Sequence, residues 1–290
     1  MGLGFIEILK TILLGIVEGV TEWLPISSTG HMILFDEFIH LNVTPEFKEI
    51  FLVVIQLGAI LAVVVMFWKT IFPFHFKGGF GVDKEKIIMW LKILVASIPA
   101  GIIGILFDDY FNAWFYNYWT VAIMLIVFGI LFIWIENAHK NKIPKVNDIS
   151  EITYKAAFII GVFQLIAAVF PGTSRSGATI IGALLLGISR TTAAEFTFFL
   201  AIPAMFGGSA IKLAKFGMAF TSSEIIILIL GMAVAFVVSM LSIKFLMNYV
   251  KKHDFKVFGW YRIVLGALVI AYFLFFGAVS YTHLTLPTKA

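Results

Sequence analysis

Two short segments, far apart in the chain, concentrate the groups that could do chemistry. Residues 18–31 read Glu-Gly-Val-Thr-Glu-Trp-Leu-Pro-Ile-Ser-Ser-Thr-Gly-His, and residues 171–177 read Pro-Gly-Thr-Ser-Arg-Ser-Gly. Both lie in sequence that is otherwise apolar. Polar and ionisable groups at membrane depth are costly, so they mark a functional site by default. Together the segments offer two carboxylates, a histidine, an arginine, hydroxyls and glycines. That inventory suits a phosphate.

Glu18 and Glu22 are four residues apart, which puts both on one face of a helix. Two carboxylates so close in a low-dielectric site repel, so either one is protonated or a cation sits between them. Mg²⁺ or Ca²⁺, which take hard oxygen ligands, would fit; the plainer alternative is a polar cavity wall without metal. Pro25 stops the helix, and Ser27, Ser28, Thr29 and Gly30 open the next. Ser and Thr there serve as N-caps, but four small polar residues in a row exceed that need. A helix start rich in hydroxyls and free N–H groups is an anion site. His31, three residues beyond Ser28, is either a satisfied structural residue or a general acid, base or nucleophile.

The second segment has the same form. Gly172 and Gly177 let backbone approach a ligand, and Thr173, Ser174 and Ser176 add hydroxyls. Arg175 either pairs with Glu18 or Glu22, or clamps a phosphate with its planar fork. Gln56, inside an apolar run, either contacts the site or satisfies broken backbone. Gln164 is placed to bond Arg175 or the break near it. Asp108 and Asp109 read as helix-end residues, Glu49 and Glu195 as residues at helix starts. His40, His75, His139 and His253 read as solvated.

The elements that must hold these groups are membrane helices. The chain has 290 residues, 61% hydrophobic and 13% charged, with net charge +4 and mean hydropathy +1.01. A soluble domain carries about twice that charged fraction. Cys is absent, which excludes disulfides and thiolate metal sites. The small positive charge lies in loops and does not point to nucleic acid. The seven Trp and 31 Phe supply interfacial and lipid-facing surface. No cleavable signal peptide is expected, and residues 280–290 read as a non-native tail, so His283 is set aside.

Six runs are long enough to cross a bilayer as helices, at 51–68, 87–106, 119–136, 193–214, 225–247 and 260–279. The pieces 3–23 and 27–39, and 152–169 and 175–189, are shorter and broken by Pro25 and Pro171. They are expected to form re-entrant hairpins over 3–39 and 152–189, since non-helical backbone at that depth is tolerated only against protein or a wet cavity. Pro171 follows Pro25 by 146 residues, and the same offset pairs Gly15 with Gly161, Glu18 with Gln164, Ser27 with Thr173, Ser28 with Ser174, Glu49 with Glu195 and Lys69 with Lys215. The expected fold is thus an all-α integral membrane protein with an inverted repeat. Each half, 1–145 and 146–279, holds one hairpin and three transmembrane helices. Such repeats place their sites near the midplane, at the repeat interface. The loops 69–86, 137–151, 190–192 and 248–259 hold 11 Lys and Arg, against 2 in the loops 40–50, 107–118 and 215–224. The basic side is therefore expected to be cytoplasmic, with Lys92, Lys244 and Arg262 snorkelling toward it. The first hairpin then dips in from outside and the second rises from the cytoplasm.

The segments EGVTEWLPISSTGH and PGTSRSGAT resemble the undecaprenyl-diphosphatase, or bacitracin-resistance, family. The resemblance extends to VVIQLGAILAVV at 53–64, EFTFFLAIPAM at 195–205 and YRIVLG at 261–266. It implies a bacterial plasma-membrane enzyme that hydrolyses undecaprenyl diphosphate to undecaprenyl phosphate and inorganic phosphate, recycling the peptidoglycan lipid carrier and conferring bacitracin resistance. The family's motif acids fall on Glu18 and Glu22, its serines on Ser27 and Ser28, its histidine on His31 and its arginine on Arg175. The expected site opens to the extracytoplasmic side and takes a polyprenyl diphosphate and a divalent cation. Ser28 attacks phosphorus, with His31 or Glu22 taking its proton; attack by His31 or by water is the rival. A homodimer would be compatible with this reading. A lipid-phosphate carrier is the competing class, but anion transport needs donors, not two carboxylates beside a nucleophile.

Overall fold

The computed structural model describes residues 4–75, 80–217 and 220–276, with only the backbone described for residues 36, 37, 105, 108, 109 and 112. The suspected tail at 280–290 and the carboxylates of Asp108 and Asp109 lie outside the described residues. The chain forms helices α1 (Phe5–Thr21), α2 (Ser28–Phe38), α3 (Pro45–Met66), α4 (Trp68–Ile71), α5 (Lys84–Phe115), α6 (Tyr118–His139), α7 (Tyr154–Val169), α8 (Arg175–Leu185), α9 (Arg190–Phe216), α10 (Ser222–Val250) and α11 (Lys256–Phe276). Six of them, α3, α5, α6, α9, α10 and α11, are long and apolar enough to cross a membrane. They are the six runs picked out by hydropathy, and the protein is a multi-pass, all-α membrane protein. The helices start where the sequence supplies caps. Thr44, Asn117, Thr153 and Ser189 each accept the N–H three residues on, and Thr221 forms a capping box with Glu224.

Three details depart from expectation. A two-stranded antiparallel ladder, β1 (Phe74–His75) with β2 (Gly81–Val82), sits in the loop before α5. Helix α5 runs on to Phe115, beyond the expected end near 106. Pro99 and Pro203 lie inside α5 and α9 without ending them. Neighbouring helices in an apolar span can tolerate the lost backbone bond, whereas Pro25 and Pro171 are followed by polar residues that start a new helix.

Helix α1 packs on α10 as α7 packs on α5. Helix α3 packs on α9 and α10, α9 also on α5, and α6 on α11. Small residues allow these approaches, as expected where lipid is as apolar as the side chains. A Cβ on Gly129 of α6 would lie 2.7 Å from the Gly259 carbonyl oxygen of α11, and a Cβ on Gly259 would lie 2.7 Å from that of Gly129. Helix α1 turns Phe5, Ile6, Leu9, Leu13 and Ile16 outward, while Glu18, Gly19 and Thr21 face the interior. Its outer face is the more apolar one, the arrangement a lipid solvent requires.

Candidate active site

The two helix breaks are built alike. Among the described residues the only non-glycine positions with positive φ are Ser27, at 75°, and Ser174, at 67°. Each is the N-cap of an eleven-residue helix and accepts a hydrogen bond from the third N–H of that helix: Gly30 to Ser27 Oγ at 3.3 Å, and Gly177 to Ser174 Oγ at 3.2 Å. Such backbone costs about 1–3 kcal/mol and persists where the surroundings over-determine it. The equivalence corrects the offset read from the sequence. Ser27 matches Ser174 and Ser28 matches Arg175, at 147 residues rather than 146. The second break holds one more residue between its proline and its N-cap, with Gly172 at φ 90° making the turn. The first N–H groups of α2 and α8 have no intrahelical acceptors.

A cavity of about 250 Å³ lies where the breaks meet. From the first break it is lined by Glu22, Ser28 and Thr29, and from the second by Pro171, Gly172, Ser174 and Arg175. Gln56 and Val53 of α3, Ala167 of α7, and Ala204, Met205, Gly208 and Ser209 of α9 complete the wall. Glu22 is the hub. Ser28 Oγ donates to its Oε2 at 2.8 Å. Arg175 Nη2 donates to its Oε1 at 3.1 Å, and Ser176 Oγ donates to its carbonyl oxygen at 3.3 Å. Arg175 Nη1 donates to the Thr197 carbonyl at 3.1 Å, and its guanidinium carbon lies 6.0 Å from the Trp23 ring centre. Of the two partners foreseen for Arg175, Glu22 is the one engaged. Gln164 forms no bond to Arg175: its buried Oε1 has no hydrogen-bond partner.

The remaining expected residues lie behind this wall. Ser27, Thr173 and Ser176 are buried, and Gly30 and Gly177 serve the two caps. Glu18 is 1% exposed, and its Oε1 has no hydrogen-bond partner. The described residues contain no group of three or more His, Cys, Asp or Glu that could enclose a metal. The donor set is two carboxylates, one on the cavity wall and one with an orphaned oxygen behind it. That suits a hard cation held by one or two carboxylates and completed by a ligand's own oxygens. His31 is not part of the cavity wall. Its Nδ1 lies 2.7 Å from the Ser27 carbonyl oxygen, and its Nε2 lies 2.7 Å from Tyr261 Oη. A carbonyl can only accept, so Nδ1 carries the proton, and Nε2 of a neutral ring accepts from Tyr261.

Of the cations expected to snorkel, Lys92 is buried along its length and its ammonium donates to the Ser150 carbonyl, in the loop 137–151, at 2.7 Å. Arg262 is wholly buried and donates to carbonyl oxygens at both breaks: Pro25 at 3.3 Å, Gly172 at 2.9 Å and Thr173 at 2.8 Å. Glu49, read as a helix-start residue, forms an ion pair with Lys212 across α3 and α9. Tyr261, Arg262, Thr197 and the small residues of α9 were not singled out as site residues. The runs YRIVLG at 261–266 and EFTFFLAIPAM at 195–205 are the signals that touch Tyr261, Arg262, Thr197 and Ala204.

Fold and site together define a polytopic helical membrane protein that gathers a hydroxyl, a carboxylate and a guanidinium at a cavity among its helices. The profile of the bacitracin resistance protein BacA matches residues 11–268, and the chain belongs to that family. It is 68% identical over 271 residues to an undecaprenyl-diphosphatase of Desulfitobacterium hafniense, covering 93% of this chain and 98% of that protein. It is 67% identical over 269 residues to undecaprenyl-diphosphatase 1 of Clostridium acetobutylicum, again covering 93% and 98%. An undecaprenyl-diphosphatase of Enterococcus faecalis is 62% identical over 272 residues, with the same coverage. These relatives are enzymes, and so is the family to which the chain belongs.

Proposed function

We propose that the protein hydrolyses undecaprenyl diphosphate to undecaprenyl phosphate and inorganic phosphate at the outer face of the bacterial plasma membrane, returning the lipid carrier to peptidoglycan synthesis and so conferring bacitracin resistance. The carrying observation is the bond from Ser28 Oγ to Glu22 at 2.8 Å, with Arg175 on the other oxygen of that carboxylate. A hydroxyl already donating to a carboxylate is an activated nucleophile in waiting. The relatives' names supply the substrate.

In this reading the terminal phosphoryl group lies between Ser28 and Arg175. Ser28 Oγ passes its proton to Glu22 and bonds to phosphorus. The bond from phosphorus to the bridging oxygen breaks, and its electron pair leaves with undecaprenyl phosphate. Glu22 gives the proton from Ser28 up to that departing phosphate. Water then attacks the phosphoserine, Glu22 takes a proton from it and passes it to Ser28 Oγ as the bond from Oγ to phosphorus breaks, and inorganic phosphate departs. Arg175 and the free N–H groups at the starts of α2 and α8 hold the phosphoryl oxygens and stabilise the developing charge. Glu22 is favoured over His31 as the base, because both ring nitrogens of His31 are engaged away from the cavity. Glu22 and Glu18 are the residues that would hold Mg²⁺ or Ca²⁺. When bound, the ion would neutralise charge on the phosphate oxygens.

The architecture we read is an inverted repeat with two re-entrant hairpins, α1–α2 and α7–α8. Exchanging α1, α2, α3, α5 and α6 for α7, α8, α9, α10 and α11 turns the pair α1–α10 into α7–α5 and α3–α10 into α9–α5. It returns α3–α9 and α6–α11 to themselves. The matching serine caps support the same symmetry. The cavity meets α3 at Val53 and Gln56, near its middle, and α9 from Ala204 and Met205 to Gly208 and Ser209, toward its Phe216 end. That end of α9 faces the side poor in Lys and Arg, which supports an extracytoplasmic opening. Pro99 and Pro203 stand at similar depths in α5 and α9, which run in the same direction. Beyond them Gly101, Gly104, Gly207 and Gly208 face open space. We read this outer stretch, continuous with the cavity through Ala204 and Gly208, as the path of the prenyl chain. The test is phosphate release from undecaprenyl diphosphate by purified protein in detergent. Release by wild type and none by Ser28→Ala is expected; turnover by well-folded Ser28→Ala would reject the nucleophile.

A further inference from the structure

Arg262 carries a full charge into the interior without an acid to meet it. It sits on α11, is wholly buried, and its hydrogen-bond partners are all backbone carbonyls. Its guanidinium carbon lies 5.8 Å from the Phe128 ring centre, a further favourable contact. Burying a cation with no counterion is expensive, and an apolar residue would fill the space without that penalty. What an apolar residue could not do is bind both helix breaks at once. Nη1 takes the Pro25 carbonyl of the first break, while Nη2 takes the Gly172 and Thr173 carbonyls of the second. Breaking a helix leaves carbonyls without intrahelical donors, and here one rigid fork collects them from two breaks. The reacting groups follow closely: Ser28 is three residues after Pro25, and Arg175 two residues after Thr173. One guanidinium thus ties together the backbone just before both reacting groups.

We propose that Arg262 is a positioning residue for phosphoryl transfer, holding the two breaks in register so that Ser28 and Arg175 address one phosphoryl group. The proposal rests on the phosphatase reading. Arg262 touches no substrate, so its effect falls on the geometry of the transition state more than on binding, where misplacement by about 1 Å can cost about a hundredfold. A lysine keeps the charge, but its compact ammonium lacks the planar fork that reaches both breaks.

The experiment compares wild type, Arg262→Lys and Phe128→Leu for phosphate release from undecaprenyl diphosphate, at matched amounts of monodisperse protein. Arg262→Lys is expected to lower kcat by about thirtyfold or more while KM stays within about threefold. Phe128→Leu, which leaves the guanidinium but removes the ring against it, is expected to lower kcat by about threefold to tenfold. A folded Arg262→Lys with kcat within about threefold of wild type overturns the proposal. So does a loss carried by KM, which would make Arg262 a source of binding charge. If Arg262→Lys does not fold, Phe128→Leu decides, and unchanged kcat in that variant overturns the proposal. Wild-type protein that releases no phosphate would instead sink the phosphatase reading, and this inference with it.

Discussion

At the break after α1, the first residue of the new helix is Ser28; at the break after α7, it is Arg175. Around them the backbone is repeated: a serine cap at positive φ and a glycine N–H closing the cap. The chemistry is not repeated. The first break contributes hydroxyl and carboxylate, the second the cation, and Glu22 bonds to both. The same division runs one turn earlier, where Glu18 and Gln164 occupy matching buried places and differ in the capacity to carry charge. Two helix starts of like build thus border one cavity, and the side chains they bring to it differ.

The largest test of that division is Ser28→Ala, which removes the group proposed to bond to phosphorus. A fall in kcat of about 10⁴-fold or more is expected, and trapping of a phosphoenzyme in wild type but not in the variant would tie the loss to Ser28. Next comes the cation. Chelation with EDTA is expected to abolish turnover and added Mg²⁺ or Ca²⁺ to restore it; full activity in EDTA removes metal from the reading. Arg175→Ala should lower kcat/KM by at least about a hundredfold, and near-normal turnover would leave the second break without a role. Gly172→Ala probes the one-residue difference between the breaks. Its Cβ would meet the Val121 carbonyl oxygen at 2.5 Å with φ at 90°, so a loss of about 2 kcal/mol or more is expected as a lowered Tm. The smallest effect concerns the prenyl path. Gly208→Leu should raise KM several-fold for the long-chain lipid and leave a short-chain diphosphate analogue nearly unaffected. Equal shifts for both would place the chain elsewhere.

The spans, the breaks and the candidates Glu22, Ser28 and Arg175, which the structure brings together, were legible in the sequence because polar residues and proline stand out against apolar helices. The register between breaks was not, because the second has one more residue between its proline and its N-cap, while the ungapped offset still aligned chemically similar serines. Arg262 was misread because distance along a helix says how far a cation lies from an interface but not which way it faces. Its partners are carbonyls of Pro25, Gly172 and Thr173, which leave no side-chain signature. His31 was grouped with the reactive residues by proximity in sequence and by the motif histidine that falls on it. Its helical turn carries it to Tyr261, some 230 residues away in the chain.

The bond between Glu22 and Arg175 also bears on selectivity. The guanidinium is answered by an internal carboxylate, so an anion entering the cavity would have to compete with Glu22 for it. A small monovalent anion must displace Glu22 and offers little in exchange. A diphosphate brings more charge and more acceptor oxygens, and the carboxylate it releases is the one that holds the Ser28 hydroxyl. On the proposed mechanism, the same ion pair would exclude weak competitors and free the base when a diphosphate head group arrives.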